Sequence, residues 1–368
     1  MRGLYVHVPF CVKKCSYCDF YSVPAQNGLI DRYVQAIMAE CHSYLGFSFD
    51  TLYLGGGTPS LLGADNLIRL IDGLHQAFDL SDLVEATVEV NPESATVSLL
   101  EAAKAAGITR ISIGVQSLSQ QELEKVGRVH TAVQAVEVVG RATKLGFRTL
   151  SSDLMIGLPG QKWEMLRASL ETLISLGMDH LSLYCLSLEH GTPLSLDPPA
   201  DLPSDDMQAD LFERASLFLD KNAFVHYEIS NFALKGHECL HNLNYWRGGE
   251  YLGLGPAAAS HLGGRRFRNR PDLCAYIETP AHLVEDVEEL KNKDKAAEET
   301  MLRLRLLSEG LNQNDLIKRF GQEDINDLVG RLEEMARAGD LSFDGSSYRL
   351  APSRVLTSNQ IFARVLFD

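Results

Sequence analysis

The sequence predicts an α/β protein of about six strand–helix units, followed by a smaller, mostly helical, winged-helix-like unit. Three observations carry this. Short apolar runs alternate with stretches of helical spacing from residue 4 to about residue 231, and such alternation implies a parallel sheet with right-handed crossovers. The chain has 368 residues, long for one domain, and is 45% hydrophobic, which supplies ordinary globular cores. From about Gly248 the character changes, first to a Gly- and Arg-rich stretch and then to helices. The expected division is therefore 1–247, a connector at 248–293, and a C-terminal unit at 294–368.

The elements follow in order. Residues 4–8 form a first strand, and Tyr33, Val34, Ile37, Met38, Cys41 and Leu45 give residues 31–45 one apolar helical face. Strands at 51–54, 86–90, 110–115, 148–155 and 180–186 alternate with helices at 65–78, 96–106, 120–126, 132–145, 163–176 and 204–222, and a further strand is expected at 227–231. Six or so units fit an open barrel better than a complete eight-unit one, although a doubly wound sheet gives the same alternation. In both, functional loops lie beyond the C-terminal strand ends. The last part reads as helices at 294–308, 313–320 and 324–338, then a hairpin at 341–350 with its turn at 344–347.

A net charge of −15 argues against a nucleic-acid binder. There is no apolar run of the roughly 18 residues that marks a membrane span, and the first ten residues lack a signal-peptide pattern. A cytoplasmic protein is expected, meeting a membrane only through a partner. Of the seven cysteines, Cys41, Cys185, Cys239 and Cys274 read as buried or free thiols.

The other three, Cys11, Cys15 and Cys18, fall in the order C-x3-C-x2-C directly after the first strand. A short loop with that spacing turns three thiolates toward one point, and thiolates select iron–sulfur clusters, zinc or copper(I). Three ligands on a four-iron cluster leave one iron open; a zinc site lacking a ligand and three unrelated thiols are the alternatives. One unit later comes Gly55-Gly56-Gly57-Thr58-Pro59, where missing Cβ atoms let backbone approach a ligand.

The cysteine spacing, with Tyr17 before the last cysteine, resembles the radical S-adenosylmethionine (SAM) superfamily. That resemblance favours the partial (β/α)6 barrel. It implies a 4Fe-4S cluster on Cys11, Cys15 and Cys18, whose open iron chelates SAM and whose reduced form cleaves it to a 5′-deoxyadenosyl radical. Within the superfamily the chain is similar to the branch of oxygen-independent coproporphyrinogen III oxidase. Tyr5 matches the aromatic beside the cluster, and Gly56, Gly57 and Thr58 match the contacts to the SAM amino group. Glu89 in Val88-Glu89-Val90-Asn91-Pro92, Gln116 in Ser112–Ser117, Arg128 in Gly127-Arg128-Val129-His130 and Asp153 in Asp153-Leu154-Met155-Ile156-Gly157 match further SAM contacts. Carboxylates suit ribose hydroxyls or an ammonium, and an arginine fork suits a carboxylate.

The pattern His241-Asn242-Leu243-Asn244-Tyr245-Trp246 resembles the HemW-type heme chaperones. Two departures from the oxidases point the same way: Phe20 stands where they carry a further cysteine, and only ten residues precede Cys11. After Gly253-Leu254-Gly255 the chain has Ala259-Ser260-His261, where relatives often have a histidine before the serine. The resemblance implies a protein that binds heme and delivers it to an acceptor protein; the alternative is a decarboxylase acting on a porphyrinogen. His241 is the first candidate for a heme-iron ligand, with Cys239, His237 and His261 as alternatives. Its motif alternatively only anchors the end of the barrel. The arginines 247, 265, 266, 268 and 270 suit anionic carboxylates, or dock against an acidic helix at 284–290.

Overall fold

Six parallel strands occur in sequence order in the computed structural model, which describes residues 1–26, 28–280 and 284–366. They are β1 (Arg2–Val8), β2 (Thr51–Gly56), β3 (Glu85–Val90), β4 (Arg110–Gln116), β5 (Thr149–Ile156) and β6 (His180–Cys185). The intervening helices are α1 (Leu29–Cys41), α2 (Gly63–Ala77), α3 (Val97–Ala105), α4 (Gln120–Lys125), α5 (Ala132–Leu145) and α6 (Trp163–Ser175), and α7 (Asp205–Lys221) follows β6. Each neighbouring pair of the six is parallel.

Strand alternation explains the interior. Side chains two apart share a face, and here one face is apolar: Leu4, Val6 and Val8, Leu52 and Leu54, Ile111, Ile113 and Val115, Leu181 and Leu183 are all buried. The other set, Tyr5 and His7, Tyr53, Glu89, Arg110 and Ser112, Ser151 and Asp153, His180 and Ser182, is polar, and several of its members are hydrogen-bonded in pairs. Tyr5 meets His7 at 3.1 Å, Tyr53 meets Glu89 at 2.6 Å and Ser151 meets His180 at 2.8 Å. A polar column of this kind runs through the structure because each strand contributes alternate residues to it.

The region expected as a strand at 227–231 is a turn between β7 (Val225–His226) and β8 (Asn231–Ala233), which run antiparallel at the β6 edge. Helix α8 (Leu240–Trp246) then crosses the N-terminal strand ends, where the Glu85 carboxylate accepts from the amides of Leu240 and His241, both at 3.0 Å.

The stretch expected as a connector joins the main sheet. Strand β9 (Glu250–Leu254) pairs parallel with the free side of β1, and β10 (Ala259–Leu262), β11 (Arg265–Asn269) and, after α9 (Leu273–Glu278), β12 (Val284–Glu289) continue antiparallel. The sheet order is β12-β11-β10-β9-β1-β2-β3-β4-β5-β6-β8-β7. Glycines and arginines obscured this stretch in the sequence, yet Leu252 and Leu254 are fully buried against the core. The segment at 284–290 is correspondingly a strand rather than the expected helix, within its described residues. It meets the arginines one by one: Arg265–Glu289 at 3.3 Å, Arg266–Glu288 at 3.5 Å, Arg268–Asp286 at 2.7 Å and Arg270–Glu285 at 2.9 Å. Exposed pairs contribute little stability each, but opposite charges across a ladder help set its register.

Glu40 on α1 clasps this addition. Its carboxylate accepts from the Gly255 amide (2.9 Å), the Asn269 amide group (2.7 Å) and the Tyr276 hydroxyl (2.5 Å). The last part holds α10 (Asn292–Arg303), β13 (Leu311–Asn312), α11 (Gln313–Phe320), α12 (Gln322–Arg337), the hairpin β14 (Leu341–Phe343) and β15 (Ser347–Leu350), and α13 (Ser358–Leu366). The three short strands form a sheet ordered β13-β15-β14, giving the helices and wing that the sequence predicts. No helix among the described residues is long and apolar enough to cross a membrane.

Candidate cluster and cofactor site

The cysteine loop is held at both ends. Phe10–Cys11 pairs with Val23–Pro24, the Val23 amide donating to Pro9 (2.7 Å) and the Ala25 amide to Cys11 (3.2 Å). In the middle, the amide and hydroxyl of Ser16 donate to the Val126 carbonyl at 3.3 and 3.1 Å, and Tyr17 packs on Val126, Met155, Leu158, Leu186 and Leu194. Cys11, Cys15 and Cys18 are thereby held half-buried on the wall of a cavity of about 470 Å3. Cys11 Sγ lies 3.5 Å from Thr58 Oγ1, and an Arg128 amino group donates to Cys15 Sγ at 3.6 Å. Among the described residues no three His, Cys, Asp or Glu groups are gathered as on a single metal ion.

The same cavity is lined by Gly56, Gly57, Thr58, Glu89, Gln116, Arg128 and Asp153. The glycines have physical reasons. Gly56 has φ +107°, and a Cβ there would lie 2.6 Å from the His7 ring; a Cβ on Gly57 would lie 2.7 Å from the Phe10 carbonyl. Any side chain would thus push the turn away from the cysteine loop. Gln116 ends β4 at φ +62°, in the left-handed region uncommon for residues with a Cβ, where the register with β5 also breaks. Asp153 lies within β5 rather than at its end, facing inward.

Charges are arranged for a ligand of mixed sign. Burial pushes the Glu89 carboxyl up to about 7; the Tyr53 hydroxyl and, less strongly, the Gly56 amide (3.3 Å) pull it back, while Asp153 adds to the rise. Burial raises Asp153 as well, with Ser182 opposing it. Two carboxyl groups on the wall of one cavity are matched by a cation and by hydroxyl donors. Arg128 is half-buried, donating to Asn91 Oδ1 and the Gly114 carbonyl, both at 2.9 Å, but its Nε is buried without a partner. An orphaned guanidinium donor fits a carboxylate. The residues present therefore fit a ligand of SAM's mixed charge.

Asn91 and His130, not singled out among the contact residues above, stand inside the same motifs. Asn91 donates to Thr58 Oγ1 (2.9 Å) while accepting from Arg128, so it couples the glycine turn to the arginine. His130 meets Arg128 at 3.3 Å and the Val115 carbonyl at 3.1 Å, and faces Glu93 at 3.4 Å. Their positions two residues after Glu89 and Arg128 were the available signal.

A larger cavity of about 960 Å3 adjoins this one, sharing Lys14, Asp19, Phe20, Ser22, Gly56 and Glu89. Tyr5 lines the larger cavity, half-buried, with its hydroxyl on His7. Tyr245, Trp246, Tyr251 and His261 form another wall, and Lys295, Met301 and Leu302 of α10 a third.

The radical SAM superfamily model matches residues 5–173. The heme chaperone HemW of Lactococcus lactis is 38% identical over 100% of this chain and 98% of its own length. The chain belongs to the HemW family. The Bacillus subtilis member of that family is 32% identical over 100% of the chain and 99% of its own length, and the Escherichia coli member 37% over 83% and 82%. Coproporphyrinogen III oxidase (HemN) from Escherichia coli superposes with a TM-score of 0.87 at 22% identity, over 99% of this chain and 89% of that one, a likeness of fold. Membership of this family and of the radical SAM superfamily implies a 4Fe-4S cluster and SAM.

His241, the expected heme-iron ligand, is not among the residues that line either cavity. It is buried beneath the strands, with Nδ1 2.8 Å from Thr51 Oγ1 and Nε2 2.8 Å from the Tyr245 hydroxyl, and its ring stacks on Tyr53 with centroids 5.1 Å apart. Burial, and then Arg110, hold its imidazole neutral, down to about 3. Both nitrogens are engaged, so none is left for iron. His241→Ala should lower unfolding stability by about 2–4 kcal/mol through unpaired hydroxyls and lost packing, read by thermal unfolding, with heme binding unchanged. Unaltered stability with lost heme would restore the ligand role.

Cys239 is also enclosed, its thiol on Glu85, and His237 bonds Thr149 at 3.0 Å away from both cavities.

Proposed function

We propose that this protein binds heme in the larger cavity and delivers it to an acceptor protein, on a scaffold that carries a cluster and SAM in the smaller one. The observation that carries the reading is the match, over the full chain, to relatives named as heme chaperones. The cavity supports it: its size falls at the upper end of small-molecule sites (about 300–1,000 Å3), and it joins aromatic walls to cationic side chains.

Cys11, Cys15 and Cys18 would hold the cluster, which would supply an electron for reducing the SAM sulfonium. Arg128 would meet the SAM carboxylate, while Glu89 and Asp153 would hold its ammonium and hydroxyls. Gly56 and Glu89 line both cavities, so a ligand in one lies against the wall of the other. Phe20, 65% exposed, stands at the shared lip. It offers apolar surface where the oxidases carry a thiol.

Anaerobically reconstituted protein should take up hemin, with a Soret shift saturating near one equivalent, and transfer it to an apo-heme protein. With reductant, SAM and coproporphyrinogen III it should release no carbon dioxide above background. Multiple-turnover decarboxylation would overturn the chaperone reading in favour of the porphyrinogen enzyme.

A further inference from the structure

We infer that His261 is the protein's axial ligand to the heme iron, with Lys14 and Lys295 receiving the propionates; this rests on the heme-binding reading above.

Two histidines line the larger cavity, His7 and His261. His7 is spent, with Nδ1 on the Tyr5 hydroxyl at 3.1 Å and Nε2 on the Tyr21 carbonyl at 3.0 Å. His261 differs. It lies on β10, half-buried, paired across the ladder with Tyr251. Its Nδ1 is 3.2 Å from the Gly249 carbonyl, and its Nε2 has no partner among the described residues. A carbonyl only accepts, so Nδ1 carries the proton and Nε2 the free lone pair. A ring nitrogen anchored to backbone with the other left bare is how metal-binding histidines are oriented. The Tyr251 ring stands edge-on to the imidazole, with centroids 6.1 Å apart.

The surrounding groups suit a dicarboxylate macrocycle. Tyr245, Trp246, Tyr251, Met301 and Leu302 supply flat and polarisable apolar surface, and Trp246 Nε1 is buried without an acceptor. Of the cations on the wall, Arg266 and Arg268 are already paired with Glu298, Glu288 and Asp286. Lys14 and Lys295 are in no ion pair or side-chain hydrogen bond among the described residues, and both line the cavity. Two unpaired ammonium groups match two propionates. Carboxylates near His261, those of Glu250 and Glu298, are occupied by Arg2 and Arg266.

The test is hemin titration of the full-length protein, comparing wild type with His261→Ala, His261→Gln, His241→Ala and Lys14→Ala/Lys295→Ala. The glutamine variant keeps a donor for Gly249 and covers the case in which alanine perturbs β10. Loss of His261 should weaken hemin binding about ten-fold or more and move the Soret band, with added imidazole restoring the wild-type band. His241→Ala should keep the wild-type band, and the double lysine variant should keep it with weakened affinity. Wild-type affinity and Soret position in both His261 variants would overturn the ligand assignment while leaving the heme-binding reading intact. A wild-type protein that binds no hemin would overturn that reading, and this assignment with it. Undiminished affinity in the double lysine variant would remove the propionate contacts.

Discussion

Replacing Cys11, Cys15 and Cys18 together by alanine will leave the protein without bound iron and sulfide after anaerobic reconstitution. The loop's position does not depend on the thiols: the Phe10–Cys11 pairing with Val23–Pro24, the Ser16 bonds to Val126 and the Tyr17 packing use backbone and other side chains. The variant should therefore keep the wild-type fold and unfolding temperature of the unreconstituted protein, so cluster loss will be attributable to lost thiolates. Cys41→Ala and Cys239→Ala are the controls, because both thiols are buried away from the cavity and burial pushes each up to about 12. Iron and acid-labile sulfide analysis reads the result. Full cluster content in the triple variant, with loss in a control, would reassign the ligands.

Arg128→Ala should weaken SAM binding by ten-fold or more, since a charged hydrogen bond commonly contributes ~1.5–3 kcal/mol. It should also cost stability, because removing the guanidinium strands Asn91 Oδ1 and the Gly114 carbonyl, acceptors 2.9 Å from it. Each unsatisfied buried group costs ~1–3 kcal/mol. Arg128→Lys keeps the charge but cannot span Asn91, Gly114 and Cys15 together, so it should recover stability only in part. Calorimetric SAM titration and thermal unfolding separate the two effects. Unchanged affinity in both Arg128→Ala and Asp153→Ala would remove these residues from the site; lost affinity with wild-type stability would mean that Arg128 serves the ligand alone.

The sequence by itself determined the strand–helix alternation and the cysteine loop after the first strand, because period-2 alternation and turn chemistry are local. The set Gly56, Gly57, Thr58, Glu89, Gln116, Arg128 and Asp153, which the fold gathers around one cavity, was legible only through resemblance to the radical SAM superfamily, each residue sitting inside a short motif on a successive strand or loop. Only the tertiary structure decided where distant segments meet. Strand β9 finds β1 across most of the chain, so its Gly-rich neighbours read as a connector until Leu252 and Leu254 are seen buried. An acidic run reads as a helix until the arginines of β11 stand opposite it, since a charged edge ribbon has no apolar period to reveal it. The role of a histidine was the least legible. His241 and His261 are the same residue type a short distance apart, but Thr51 and Tyr245 occupy both nitrogens of the first, whereas Gly249 occupies one nitrogen of the second. Tyr245 stands one helical turn from His241 and is legible in its motif, but Thr51 comes from a distant strand and Gly249 from twelve residues before His261, so the local pattern alone does not encode which lone pair remains free.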